Sequence, residues 1–218
     1  MHAPKTGGQS VEEVLESISD GTQFDQHSIL FEALKRNDID FESRFKFGFV
    51  RNPYDREVSN YFWHTKTNDC VDVDNFNDWI KWRFEEGTGI LTYANFANVD
   101  TYWYLKGFGK TEQRGFFVDP CGSWLSDFIG RYETINDDWN HICNKMSWDY
   151  KLPHTYASMQ RQKDYRMYYN DESYDTVTNW FKTDLEIFGY DFDGIVSDIN
   201  YDMRIDIHLS AQYNYYYG

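Results

Sequence analysis

Near the start of the chain, Lys5 and Thr6 precede a glycine pair, Gly7 and Gly8, and Ser10 follows two residues later. Glycine lets the backbone turn sharply and approach a ligand closely. The apolar periodicity after Ser10 predicts a helix with Ser10 as its N-cap. The first N–H groups of a helix and the positive end of its dipole attract anions. This order of residues therefore predicts a cradle for a phosphate-like group.

The position of the lysine narrows the choice of ligand. An ordinary ATP loop carries its lysine after the glycines, as G-x-x-x-x-G-K-[ST], whereas Lys5 precedes Gly7. The order of residues therefore argues against a kinase, which would also need a carboxylate for magnesium. A short motif of this kind is weak by itself, and the alternative interpretation is a glycine turn before a surface helix.

A second group of residues that can bind an anion follows the next predicted strand. Residues 45–50, FKFGFV, are aromatic and β-branched and predict a buried strand. Arg51 follows this strand, Pro53 suits the first turn of a helix, and Ser59 comes about two helical turns after Arg51. A guanidinium and a hydroxyl at this spacing can donate to one phosphate. The alternative for Arg51 is a surface ion pair.

These two motifs, in this order, resemble those of the carbohydrate sulfotransferases of sulfotransferase family 2. Those enzymes depend on 3′-phosphoadenosine-5′-phosphosulfate (PAPS). P-K-T-G-G-x-S is similar to their 5′-phosphosulfate loop, and V-R-N-P-Y-D-R-x-V-S is similar to their 3′-phosphate motif. The stretches F-I-G-R-Y-E and D-L-E-I-F-G-Y-D-F are also similar, so the resemblance extends over residues 2–192.

The resemblance implies an α/β fold, a three-layer α/β/α domain with a mostly parallel central sheet that is related to the P-loop architecture. We expect this sulfotransferase domain at residues 1–192 and a C-terminal tail at residues 193–218, where MRIDIHL alternates like one added strand. In the family an apolar strand precedes the loop. Only Met1 to Ala3 stand there in this sequence, so we expect a first strand that is truncated, very short or replaced.

The implied function is transfer of a sulfuryl group from PAPS to a hydroxyl, with a carbohydrate as the favoured acceptor. In this scheme Lys5 neutralises the leaving phosphate, and the proton acceptor is His27 or, alternatively, Glu13. Each has a structural alternative: His27 precedes a predicted helix, and Glu13 suits the dipole at the start of another. The scheme requires no metal. The resemblance implies donor contacts at Lys5, Thr6, Gly7, Gly8, Gln9, Ser10, Arg51, Ser59, Ser158, Arg161 and Lys163.

A second function stays open. A protein with these motifs but without a working base or acceptor groove would bind phosphoadenosine nucleotides and transfer sulfate weakly or not at all. Tight binding of 3′,5′-phosphoadenosine without transfer to any acceptor would distinguish it from an active enzyme.

Composition limits the partners. The formal net charge of −15 argues against nucleic acid and anionic membranes as partners, since both attract basic surfaces. No run approaches the ~18 apolar residues of a membrane span, and no basic and apolar leader precedes the loop. Cys70, Cys121 and Cys143 are too widely spaced for a metal site. We therefore expect a soluble, cytoplasmic protein with free thiols, whose partners are a nucleotide donor and a glycan or other hydroxyl acceptor.

Overall fold

The computed structural model describes residue 3 and residues 5–18, 44–67, 73, 75–84, 112–118, 122–153, 161 and 164–201. In chain order its helices and strands are α1 (Gly8–Ile18), β1 (Phe47–Val50), α2 (Pro53–Thr67), α3 (Phe76–Phe84), β2 (Phe128–Arg131), α4 (Ile135–Met146), α5 (Asp171–Trp180), α6 (Lys182–Phe188), β3 (Tyr190–Asp191) and β4 (Gly194–Ile195). Short 3-10 helices lie at Gln113–Phe116, Tyr132–Thr134 and Tyr165–Tyr168. The combination of helices with a parallel pair of strands is consistent with the predicted α/β class. The three-layer α/β/α arrangement stays a prediction.

The chain divides into two compact units. The first contains Met1–Asn52, Gln113–Met159 and Tyr201–Asp206, and the second contains Pro53–Glu112, Gln160–Asn200 and Ile207–Gly218. The predicted domain boundary at residue 192 stays a prediction. Just beyond it, β4 pairs with β3 in an antiparallel hairpin. The alternating segment MRIDIHL lies outside the described residues.

The first unit is built on a parallel pair of strands. β1 pairs with β2 so that Phe47 lies opposite Phe128 and Val50 lies opposite Arg131. Helices α1 and α4 pack with β1 around a buried core, which consists of Val11, Val14, Phe49, Trp139, Ile142 and Cys143. Because the strands are parallel, their carboxyl ends lie at the same edge, where ligands of α/β proteins bind. The residues that follow β1 and β2 therefore lie next to each other.

An ion pair fixes the opposite end of the two strands. Lys46 precedes β1, and its ammonium lies 2.9 Å from the carboxylate of Asp127, which precedes β2. The same carboxylate accepts the backbone N–H of Lys46 at 2.7 Å. Partial burial acts to raise the pKa of Asp127, but the hydrogen bonds and the charge of Lys46 together hold it below its usual value. These contacts hold the register of the strand pair.

An aromatic cluster organises the second unit around α2 and α5. Tyr54 on α2 stacks on Tyr174 with ring centroids 5.6 Å apart, and Phe192 meets it edge-on at 5.0 Å. Its hydroxyl shares a 2.6 Å hydrogen bond with Thr178. Burial raises the pKa of Tyr54 to about 12, so the phenol is neutral at physiological pH.

A buried ion pair also joins α2 to α3. The Arg83 guanidinium lies 2.7 Å from the Glu57 carboxylate, and both side chains are fully buried. The amide of Asn60 donates to the other Glu57 oxygen at 3.1 Å. The spacing of four apolar residues in the sequence predicts that one face of α3 is buried. The structure confirms it, since these residues are buried: Phe76, Trp79, Ile80 and Phe84.

The sequence of residues 173–188 is typical of one long helix, but the structure interrupts it. Phe181, which is fully buried, leaves the helical region of backbone space (φ −105°, ψ 20°) and separates α5 from α6. The hydrogen bonds from Phe181 to Val177 and from Leu185 to Phe181 keep the two segments continuous. A glycine directly after the helical pattern predicts a C-cap at Gly189. The structure confirms it, because the Gly189 backbone is left-handed (φ 65°, ψ 46°).

Candidate functional site

The loop before α1 contains two residues with left-handed backbone. Lys5 has φ +67° and Gly7 has φ +83°. Between them Thr6 is fully buried, and its hydroxyl donates to the Ala3 carbonyl at 2.8 Å. Left-handed residues in a tight turn are typical of the backbone concavities that bind anions. The Thr6 side chain therefore stabilises the loop, and the backbone is what can bind a ligand.

Helix α1 begins earlier than the sequence predicted. It starts at Gly8, and the Ser10 N–H donates to the Gly7 carbonyl at 3.2 Å. The prediction that Ser10 is the N-cap was wrong, because the positive φ of Gly7 turns the chain into the helix sooner. Gly8, Gln9 and Ser10 therefore form the first turn, where N–H groups and the helix dipole favour an anion.

Arg51 connects this loop to the strand pair. It follows β1, is 6% exposed, and donates from Nη1 to the Lys5 carbonyl at 3.1 Å. Its guanidinium also lies over the ring of Tyr132, 4.0 Å from the ring centroid. Tyr132 follows β2, so the two parallel strands deliver both side chains to the loop. Lys5 and Arg51 were predicted from separate motifs, and the structure brings them together.

The same tyrosine packs against the glycine of the loop. A Cβ atom added to Gly7 would lie 2.8 Å from Cδ1 of Ile135 and 3.0 Å from Cδ2 of Tyr132. Both distances are too short for ordinary packing. The space and the backbone angle at this position therefore require glycine.

Two polar side chains fix the backbone after β1. The buried amide of Gln113 accepts the Arg51 N–H at 2.9 Å and donates to the Arg51 carbonyl at 2.8 Å. Next along the chain, the Asn52 N–H donates to Glu133 Oε1 at 2.8 Å. These contacts fix the Cα position of Arg51, so its side chain leaves the strand from a defined point.

A comparison with protein-family models identifies the family of the chain. The model described as the sulfotransferase family matches residues 1–191. The chain belongs to the sulfotransferase family. A search of curated proteins and a search of solved structures each found no match. The match spans the loop, both parallel strands and all the helices described above, and it confirms the family that the sequence motifs resembled.

The other site residues predicted for this family member lie in several places. Glu13 and Gln9 are on the exposed side of α1, away from its buried Val11 and Val14. Ser59 is half-buried on α2 of the second unit. The remaining predicted residues lie outside the described residues: His27, Ser158 and Lys163.

Two arginines of the second unit form ion pairs with acidic residues. Arg161, a predicted donor ligand, forms an ion pair with Asp55 of α2. Arg166 pairs with Asp164 at 2.9 Å and with Asp193 at 2.8 Å, and these contacts raise its pKa. These two arginines thus have acidic partners.

The described ranges of the chain hold neither a metal cluster nor a membrane-spanning helix. These ranges contain no group of three or more His, Cys, Asp or Glu residues that could hold a metal ion. None of the helices in the same ranges combines the length and the hydropathy needed to cross a bilayer.

Sequence reasoning missed two residues that shape the site. Tyr132 lies in the stretch F-I-G-R-Y-E, which signals the family but not the contact of its ring with Arg51. Gln113 is 62 residues from Arg51 in sequence and lies in no recognisable motif. Only the fold brings these two side chains to Arg51.

Replacing Gly7 by alanine tests the packing of the loop. A left-handed backbone costs an L-residue about 1–2 kcal/mol, and overpacking adds about 1–3 kcal/mol. We therefore expect G7A to lower the free energy of unfolding by about 2–4 kcal/mol, measured by urea denaturation. Gly122, also at φ +83°, provides the control for backbone strain. If G122A lowers the free energy of unfolding as much as G7A does, backbone strain alone explains the loss, and packing of Gly7 against Tyr132 and Ile135 does not contribute.

Proposed function

We propose that this sulfotransferase transfers a sulfuryl group from PAPS to a hydroxyl, with carbohydrates as the acceptor class. The contact between the Lys5 carbonyl and the Arg51 guanidinium is the main support. It joins the proposed 5′-phosphosulfate loop to the residue proposed for the 3′-phosphate. PAPS carries a phosphosulfate at its 5′ position and a phosphate at its 3′ position. Such a donor suits two neighbouring anion-binding elements, the loop before α1 and Arg51.

The residues of the first unit fit the 5′ end of such a donor. The positive φ of Gly7 turns the chain into α1, and the first turn of α1 presents N–H groups and a positive dipole. We propose that Lys5, Thr6, Gly7, Gly8, Gln9 and Ser10 hold the phosphosulfate. On the sequence resemblance alone, Ser59, Ser158, Arg161 and Lys163 are proposed as further donor ligands, together with Arg51.

The proposed reaction is an in-line displacement at sulfur. When bound, the donor supplies the sulfuryl group, whose bond to the phosphate oxygen breaks as a bond to the acceptor oxygen forms. The Lys5 ammonium stabilises the charge that develops on the leaving phosphate. His27, or alternatively the exposed Glu13 of α1, takes the proton of the acceptor hydroxyl. No metal ion takes part in this scheme.

Calorimetric titration with 3′,5′-phosphoadenosine, AMP and ATP tests donor recognition. We expect the wild-type protein to bind 3′,5′-phosphoadenosine at least about tenfold more tightly than AMP, because a charged guanidinium pairs strongly with phosphate. R51A should lose most of this preference. Arg51 also contacts the loop, so the ratio of the two affinities, rather than either affinity alone, reports the 3′-phosphate contact.

The exposed Arg44 of the same unit provides a control that removes an equal charge. R44A should keep the preference. Equal affinity of wild type for 3′,5′-phosphoadenosine and AMP, or tighter binding of ATP, would contradict the proposed donor. Incubation with ³⁵S-labelled donor and a panel of glycans then tests transfer. Tight binding without transfer would favour the inactive nucleotide-binding alternative.

A further inference from the structure

We propose that Tyr132 is a positioning residue that holds Arg51 and the phosphosulfate loop in one arrangement. This inference rests on the proposed function of the loop. Two contacts of the same ring support it. The Arg51 guanidinium lies over the ring at 4.0 Å, and two ring atoms lie 3.0 and 3.2 Å from the position of a Cβ on Gly7.

The Tyr132 ring holds the Arg51 guanidinium by a cation–π interaction in addition to van der Waals contact. A cation over an aromatic face is stabilised by the ring quadrupole, and the effect grows as water is excluded. Arg51 is 6% exposed, so water is largely excluded here. On one side the guanidinium meets the Tyr132 ring, and through Nη1 it meets the Lys5 carbonyl. Arg51 therefore keeps one orientation relative to the loop.

The backbone that carries the ring is itself fixed on both sides. The preceding Arg131 N–H donates to the Asp138 carboxylate at 2.7 Å, and the Thr134 hydroxyl donates to the same oxygen at 2.7 Å. Glu133 accepts the Asn52 N–H. Tyr132 therefore begins a short turn whose neighbours are bound to α4 and to the end of β1, so the ring has little freedom to move.

This arrangement couples the two anion-binding elements. If the ring is removed, Arg51 loses its stacking partner and the Gly7 region of the loop loses a packing surface. Affinity for the donor and preference for its 3′-phosphate should then fall together. If Tyr132 only stabilised the fold, its replacement would lower the unfolding midpoint and leave the preference for the 3′-phosphate unchanged.

Y132L and Y132F test the proposal in the full-length protein. We expect Y132L to bind 3′,5′-phosphoadenosine about threefold to thirtyfold more weakly than wild type, which corresponds to the loss of one cation–π contact. The preference for 3′,5′-phosphoadenosine over AMP should narrow as well. Y132F keeps the ring. Its affinity for 3′,5′-phosphoadenosine and its preference for that nucleotide over AMP should both lie within about twofold of the wild-type values. Y150L removes a tyrosine from the exposed surface of the same unit and should leave both unchanged.

Amide hydrogen exchange provides a readout that needs no nucleotide. In Y132L, exchange of the amides of residues 5–10 should quicken relative to the amides of α4, and in Y132F it should match wild type. The proposal is overturned if Y132L keeps both wild-type exchange in the loop and the wild-type nucleotide preference. It is also overturned if Y132F is as impaired as Y132L. If wild type shows no nucleotide preference, the proposed function fails, and the exchange result still decides whether Tyr132 orders the loop.

Discussion

Replacing Lys5 by alanine is expected to lower kcat for sulfuryl transfer by about 10²–10³-fold, with a much smaller change in affinity for 3′,5′-phosphoadenosine. The proposed role of the ammonium is to stabilise charge that develops on the leaving phosphate only as the S–O bond breaks. An interaction of this kind is strongest in the transition state. Its loss therefore appears in kcat more than in substrate binding.

K5A isolates the ammonium unusually well. The contact with Arg51 uses the Lys5 carbonyl, which alanine keeps. The left-handed backbone of Lys5 (φ +67°) strains any L-residue with a Cβ, so alanine introduces no new strain there. The loop should therefore keep its shape while it loses one charge.

Lys145, exposed on α4 of the same unit, offers a control of equal charge. K145A should retain wild-type kcat, and both variants should be compared at several donor concentrations in the ³⁵S assay. A rise in KM with unchanged kcat in K5A would assign Lys5 to ground-state binding of the donor. Unchanged kinetics would remove Lys5 from the proposed mechanism.

Local patterns in the sequence predicted the elements that position the site. The aromatic and β-branched residues 45–50 predicted β1, which spans Phe47–Val50, and the periodic apolar residues of α3 are buried as predicted. The glycine pair predicted a tight turn before α1, because glycine adopts positive φ more readily than other residues, and Gly7 has φ +83°. Each of these predictions depends on residues that are close together in the sequence, so it could be made without the structure.

Contacts between distant segments could not be predicted in the same way. The Arg51 guanidinium bonds to a carbonyl 46 residues away, and the Gln113 amide reaches across 62 residues. Neither contact has a periodic or compositional signature. The break at Phe181 has the same origin, because its burial in the second unit overrides a continuous helical pattern. Tertiary packing therefore decides which predicted ligands share a site.

Replacing Arg83 by methionine is expected to lower the free energy of unfolding by about 3–5 kcal/mol. Glu57 and Arg83 are both fully buried and 2.7 Å apart. The substitution leaves a buried carboxylate that has lost its counter-ion, and the remaining hydrogen bond from Asn60 cannot neutralise it. Urea denaturation of wild type and R83M measures the difference.

The double variant E57L/R83M shows whether R83M loses stability because it leaves a buried charge without a partner or because it loses packing. Removing both charges should recover much of the stability, because two apolar side chains of similar volume tolerate this environment. R166M, in the exposed pairs with Asp164 and Asp193, should have only a small effect since solvent screens those charges. If E57L/R83M is as unstable as R83M, packing of the arginine stem rather than the ion pair stabilises the contact between α2 and α3.

The same ion pair also bears on the proposed donor ligand of α2. Ser59 lies two residues after Glu57, so the contact of Glu57 with Arg83 limits how far this turn of α2 can move. If Ser59 binds the donor, R83M should weaken binding of 3′,5′-phosphoadenosine under conditions where the variant is still folded, and E57L/R83M should recover it together with stability. Recovery of stability without recovery of affinity would contradict the idea that the ion pair supports binding by holding Ser59 in place.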